Sequence, residues 1–191
     1  KRYLGDAPSD YEGMRESKSR FEFEKADVSE VVDAVKSSGV VSVLVDGENL
    51  LVAAPASGDA EGKSVNETDG GILVASGRPA DFCALLSDEG VVKTGYNLKE
   101  CWKWLLGQGI EMNGRLHDVE LMDYLVNPEK THKIDALART VLGVSLDDDA
   151  TATGEKSELS LFDAAPEIPE KDRSRETAVC LALGIKVRES I

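Results

Sequence analysis

The sequence predicts a single α/β domain, a mixed β-sheet flanked by α-helices, and three observations carry that prediction. The 191 residues fit one domain, and 41% hydrophobic content supplies a core. Short β-branched apolar runs dominate the first half, while helical spacing dominates the second. One strand pattern, Val91–Thr94, returns between helices, which is the order expected of a mixed α/β or α+β sheet.

Each element has its own signal. Val28, Val31, Val32 and Val35 recur at i, i+3, i+4 and i+7, the stripe of an amphipathic helix, and Gly39 ends it. Val40–Val45 and Leu50–Ala54 are apolar runs joined by Asp46-Gly47-Glu48-Asn49, which reads as two strands and a tight turn. Ile72–Ala75 makes a third strand after a Gly-rich acidic loop at 57–71. From Pro79, Phe82, Leu85 and Leu86 mark a short helix ahead of the Val91–Thr94 strand. Asn97 is placed to cap a helix bearing Leu98, Cys101, Trp102, Leu105 and Leu106, with Gly107 and Gly109 closing it. A helix from Asp118 carries Leu121, Met122 and Leu125 and breaks at Asn127-Pro128. Lys133 to Leu142 is helical up to Gly143, 146–172 is a second acidic loop, and Ser174 to Ser190 is the closing helix. Residues 1–22 lack periodicity and read as a linker or N-terminal arm, leaving 23–191 as the domain. An opening at Lys1 rather than Met fits a piece of a longer chain.

Composition narrows the function. The chain carries 22 Lys and Arg against 36 Asp and Glu, a net charge of −14, which disfavours tight autonomous binding to nucleic acid or to an anionic membrane. No apolar run approaches the roughly 20 residues that span a bilayer, so a soluble, cytoplasmic protein is expected. Three cysteines without CxxC spacing read as reduced thiols. With two histidines, no G-x-S-x-G elbow and no phosphate-cradling glycine motif, serine hydrolase and P-loop readings fall away. Asp46 and Glu48 are the sharpest carboxylate pair, since residues two apart on a strand share a face. The competing reading, an Asp-Gly hairpin turn between apolar runs, is preferred.

The stretch Val91-Val92-Lys93-Thr94-Gly95-Tyr96-Asn97-Leu98-Lys99, the segment Gly109 to Pro128 with its Asp-x-x-Leu-x-x-Tyr-Leu-x-Asn-Pro-like order, and Lys133-Ile134-Asp135-Ala136-Leu137-Ala138 together resemble a known domain. It is the 3′-to-5′ exonuclease-type domain of bacterial family A DNA polymerases, DNA polymerase I. The resemblance runs from about Phe23 to Ile191 and implies an RNase H-like 3′-to-5′ exonuclease fold placed between a 5′ nuclease domain and the polymerase. It also implies DNA replication and repair as the setting, a bacterial nucleoid-associated location, a monomer, and DNA bound through the parent enzyme.

Active members of that family hold two divalent metals with four carboxylates, and two-metal hydrolysis needs such a cage. On this resemblance Asp46 and Glu48 match the first motif, but Cys101 stands at the second motif's Asp, and a soft thiol is a poor Mg²⁺ ligand. In the third motif Arg173 replaces the Tyr and Thr177 replaces the Asp. Asp118 matches a position outside the cage and reads as a helix N-cap. The positions Asp46, Glu48, Cys101, Arg173 and Thr177 thus describe a degenerate cage, with no catalytic residues, no metal and no cofactor expected in this domain. The alternative is an active exonuclease using Mg²⁺ on Asp46, Glu48, Asp118 and a further ligand. Trp102 and Trp104 are expected in the core or at an interdomain contact. Lys93, Lys99, Lys103 and Arg115 against Glu100 and Glu111 give a local +2, read as a solvated helix face rather than a nucleic-acid surface.

Overall fold

The structure is a computed structural model that describes residues 21–56, 71–146 and 173–188. Most of the expected arm and both acidic loops lie outside these residues. The elements are β1 (Glu24–Lys25), α1 (Val28–Ser38), β2 (Val40–Asp46), β3 (Asn49–Pro55), β4 (Ile72–Gly77), α2 (Cys83–Ser87), β5 (Val92–Gly95), α3 (Leu98–Gly107), β6 (Leu116–Asp118), α4 (Val119–Val126), α5 (Ile134–Leu137) and α6 (Ser174–Arg188).

The strands form one mixed sheet in the order β1-β4-β3-β2-β5-β6. β2, β3 and β4 are antiparallel neighbours, whereas β5 and β6 continue from β2 in parallel. Alternation along the strands feeds two cores. Val41, Val43, Leu50 and Val52 pack with Val31, Phe82, Leu98 and Leu105 on the side of α1, α2 and α3. Ala53, Val74 and Val92 pack with Val119, Leu137, Val179 and Leu183 on the opposite side. Phe21, expected in the arm, packs against this second core. Among the described residues no helix is long and apolar enough to cross a membrane.

Local chemistry explains the element ends. Asp27 and Glu30 make a capping box that starts α1, and Gly39, at φ 69°, ends it. Asp46 pairs with Asn49, so the hairpin turn consists of Gly47 and Glu48, with Gly47 at φ 59°. Asn97 precedes α3 in the left-handed region, but its side chain makes no cap bond. The amide of Leu98 donates instead to Asp118 Oδ2 at 2.7 Å. Asp118 does cap α4 as expected, its Oδ1 accepting from the amides of Glu120 and Leu121.

Two expectations need correction. In α4 the apolar positions face outward: Leu121 is 62% and Leu125 74% exposed, while Val119 and Asp123 are buried. Asp123 is turned inward because His132 Nδ1 lies 2.6 Å from its carboxylate and the Asn127 side chain donates to it. The helix expected from Lys133 to Leu142 is α only through Leu137 and then widens into a π-helical turn, Ala138–Leu142.

Candidate functional site

Because β2, β5 and β6 run parallel, their carboxyl ends meet along one edge, the place where open α/β sheets usually present ligand-binding groups. That edge carries Asp46 at the end of β2, Tyr96 just after β5 and Asp118 at the end of β6. α6 packs across β2, β3, β4 and β5 from the second-core side and brings Arg173, Glu176, Thr177 and Cys180 to the same place.

Arg173 is the organising group. Its Nη1 donates to the Val45 carbonyl at 2.6 Å, and its Nε and Nη2 donate to the two oxygens of Glu176. The bond to Glu176 holds the guanidinium above its ordinary value against the opposing effect of burial, and Asp46 adds to the effect. A permanent cation therefore sits beside the Asp46 end of β2. Thr177 is fully buried, and its hydroxyl donates back to the Arg173 carbonyl at 3.0 Å.

Of the expected cage positions Asp46, Arg173 and Thr177 meet at this edge, whereas Glu48 and Cys101 turn elsewhere. Asp46 follows Val45, which faces the first core, so its side chain leaves the sheet on the α6 side. Glu48 is in the turn, exposed, and lines a separate cavity with Arg78, Cys83, Trp104 and Gln108. Cys101 is buried within the first core, among Val43, Leu98 and Leu105, where burial pushes its thiol up to about 12. Both oxygens of Asp118 accept backbone amides. Among the described residues no three His, Cys, Asp or Glu side chains come together as a metal site. The donor set, with a guanidinium beside Asp46 and both oxygens of Asp118 accepting backbone amides, does not fit a pair of hard dications.

Motif matching passes over several groups at this edge. Burial raises Tyr96 above its ordinary value, with the Glu120 and Asp118 carboxylates adding to it, and burial raises the fully enclosed Cys180 thiol as well. Tyr96 lies in the Val91–Lys99 stretch that carries the resemblance and Glu176 beside Thr177 in the third motif, while Cys180 belongs to neither. Within the local basic stretch Lys99 and Lys103 are exposed on α3, as a solvated helix face requires, and Lys93 on β5 is the exception. Lys93 is fully buried, with its ammonium donating to the carbonyls of Asp88 and Asn113, while Lys103 pairs with Glu100. Trp104 is partly buried against the first core, and Trp102 is 40% exposed.

No family model matches the chain, and no curated protein matches it in sequence. Solved structures do match in fold. The POL domain of Pol1 from M. smegmatis, in complex with DNA primer-template and dNTP, is 17% identical over 88% of this chain and 27% of that one, with a TM-score of 0.54. Brucella melitensis NrnC is 12% identical over 87% of this chain and 79% of its own, also at 0.54. Trypanosoma brucei RNase D is 11% identical over 87% and 65%, at 0.56. The chain therefore has the RNase H-like 3′-to-5′ exonuclease fold, and it spans about a quarter of the length of the Pol1 chain.

Proposed function

We propose that this chain is a non-catalytic exonuclease-fold module of a DNA polymerase I, a structural part of an enzyme of DNA replication and repair. The observation that carries the reading is the placement of Arg173, bonded to the Val45 carbonyl and to Glu176 with Asp46 close by. Two-metal hydrolysis needs dense negative charge, because one ion activates the attacking water while the other stabilises the leaving oxygen. At this edge a fixed guanidinium takes up the carboxylate charge instead. Asp118 spends its oxygens on helix amides, and Cys101 offers a neutral thiol to an apolar core.

The fold likeness to a Pol1 chain roughly three times as long supports a place within a polymerase. The outward apolar face of α4, Leu121, Tyr124, Leu125 and Val126, supports a contact with a neighbouring domain, the polymerase or the 5′ nuclease part of the same chain. On this reading the parent enzyme works at the bacterial nucleoid, and DNA is held by its other domains.

The test is to incubate the 191-residue chain, and separately the intact parent polymerase, with 3′-labelled single-stranded DNA and Mg²⁺ or Mn²⁺. No shortening above a metal-free control is expected. Metal-dependent 3′ shortening that Asp46→Ala abolishes would overturn the reading in favour of an active exonuclease.

A further inference from the structure

A cavity of about 530 Å³ opens at the other end of the parallel strands, where β2 and β5 begin, lined in part by Ser38, Gly39, Val40, Val92 and Gly90. It falls within the size range of small-ligand sites. Its floor is the contact between β5 and α6: a Cβ on Gly184 would come within 2.1 Å of Thr94 Oγ1, and that hydroxyl is already committed to the His117 carbonyl. The remaining polar side chains are Arg115, His117 and Arg188.

The charge of this lining runs against that of the molecule. In a chain of net −14, the lining holds, among the described residues, two arginines and a histidine and no carboxylate. The other arginines of the described residues have partners: Arg78 binds Asp81, Arg173 binds Glu176, Arg175 donates to the Ser145 carbonyl, and Arg139 interacts with its surroundings. Among the described residues neither Arg115 nor Arg188 has an ion pair or hydrogen-bond partner for its side chain. Both act on His117, whose imidazole is held below its ordinary value, by burial first and then by Arg188 and Arg115. The nearby carboxylates Asp88 and Glu89 act on Lys93, whose side chain leaves β5 on the face opposite Val92 and Thr94. Two arginines that both disfavour the imidazolium of His117 around one cavity are the arrangement an entering dianion would relieve.

We propose that this cavity binds the phosphate group of a small monoester, with Arg115 and Arg188 supplying charge-assisted bonds from two sides and His117 the third donor. Planar guanidinium forks suit phosphate oxygens. The apolar walls, Val40, Val92 and Ile185, leave room for the organic part of the ligand. The assignment uses none of the groups gathered around Arg173, although His117 directly precedes Asp118 on β6.

The experiment follows the His117 ring proton resonances of the full chain through a pH titration, with binding measured in parallel by calorimetry. The probes are inorganic phosphate, ribose 5-phosphate and adenosine 5′-monophosphate, each against sodium chloride of equal ionic strength. All three phosphate probes should raise the His117 titration midpoint saturably, because a bound dianion favours the imidazolium. Equal affinity for the two esters would assign recognition to the phosphate and sugar alone, and tighter binding of the nucleotide would assign it to a nucleoside monophosphate. The double variant Arg115→Ala/Arg188→Ala should weaken binding by about tenfold or more, since two charge-assisted donors are lost. Arg115→Lys/Arg188→Lys keeps both charges and should show intermediate affinity, which separates loss of the site from loss of the fold. A midpoint that chloride moves as far as phosphate, binding unchanged in the double alanine variant, or an effect from a single-stranded oligonucleotide but from no small monoester, would each overturn the proposal.

Discussion

Arg173 shows what a single residue does here. Replacing it with Ala leaves the Val45 carbonyl and the Glu176 carboxylate without their donor, so Arg173→Ala should destabilise the fold by about 1.5–3 kcal/mol in urea titration. Asp118 serves two helices, accepting from Leu98 ahead of α3 and from Glu120 and Leu121 in α4. Asp118→Ala should therefore cost more than a single cap, about 2 kcal/mol or above, and Asp118→Asn less, because the amide oxygen keeps one of these bonds. His117 sets a pH dependence. Its folded value is depressed, so the unfolded chain takes up a proton first as pH falls. Stability should accordingly decline below the ordinary histidine value near 6.5, and the decline should be smaller in His117→Gln. Some of this was legible in the sequence. The cap role of Asp118 follows from its place before an apolar helix, and Arg173 and Thr177 follow from motif order. The bond from Arg173 to Val45 was not, because it joins residues 128 positions apart through the packing of α6 on β2.

Among the elements, those with strong periodicity were readable and those that borrow stability from neighbours were not. The Val40–Val45 and Leu50–Ala54 runs and the α1 stripe have local signals long enough to stand alone. β1 has two residues and β6 three, too short for any alternation, and each exists because β4 or β5 offers it a parallel edge. α4 misled for a different reason. Its apolar stripe suggests a buried face, but the Asp123 and His132 pair turns the helix so that Leu121 and Leu125 point outward. Leu121→Lys and Leu125→Lys should thus shift stability by no more than about 0.5 kcal/mol, whereas Val119→Ala, emptying a fully buried site, should cost about 1–3 kcal/mol by chemical denaturation. Gly184→Ala tests the contact between α6 and β5 in the same way: the added methyl meets Thr94, and a loss of about 1–3 kcal/mol is expected.

For the molecule as a whole, the charge of −14 disfavours nucleic-acid binding by itself, and the structure withdraws Lys93 from the one basic stretch that ran against it while Lys99, Lys103 and Arg115 stay exposed. Lys93 goes to buried carbonyls, Lys103 goes to Glu100, and Arg115 goes to a cavity. The isolated chain should therefore bind single-stranded DNA poorly at physiological salt, as fluorescence anisotropy would show. The two ends of the parallel strands then divide the remaining chemistry, with carboxylates neutralised by Arg173 and helix amides at one end and uncompensated arginines at the other. The central claim is that the carboxylate end no longer assembles a metal pair. Electron paramagnetic resonance of Mn²⁺ titrated into the chain reads this directly. The account predicts weak, non-saturating binding that is the same in Asp46→Ala; two tightly bound, mutually coupled Mn²⁺ ions per chain, lost in Asp46→Ala, would contradict it.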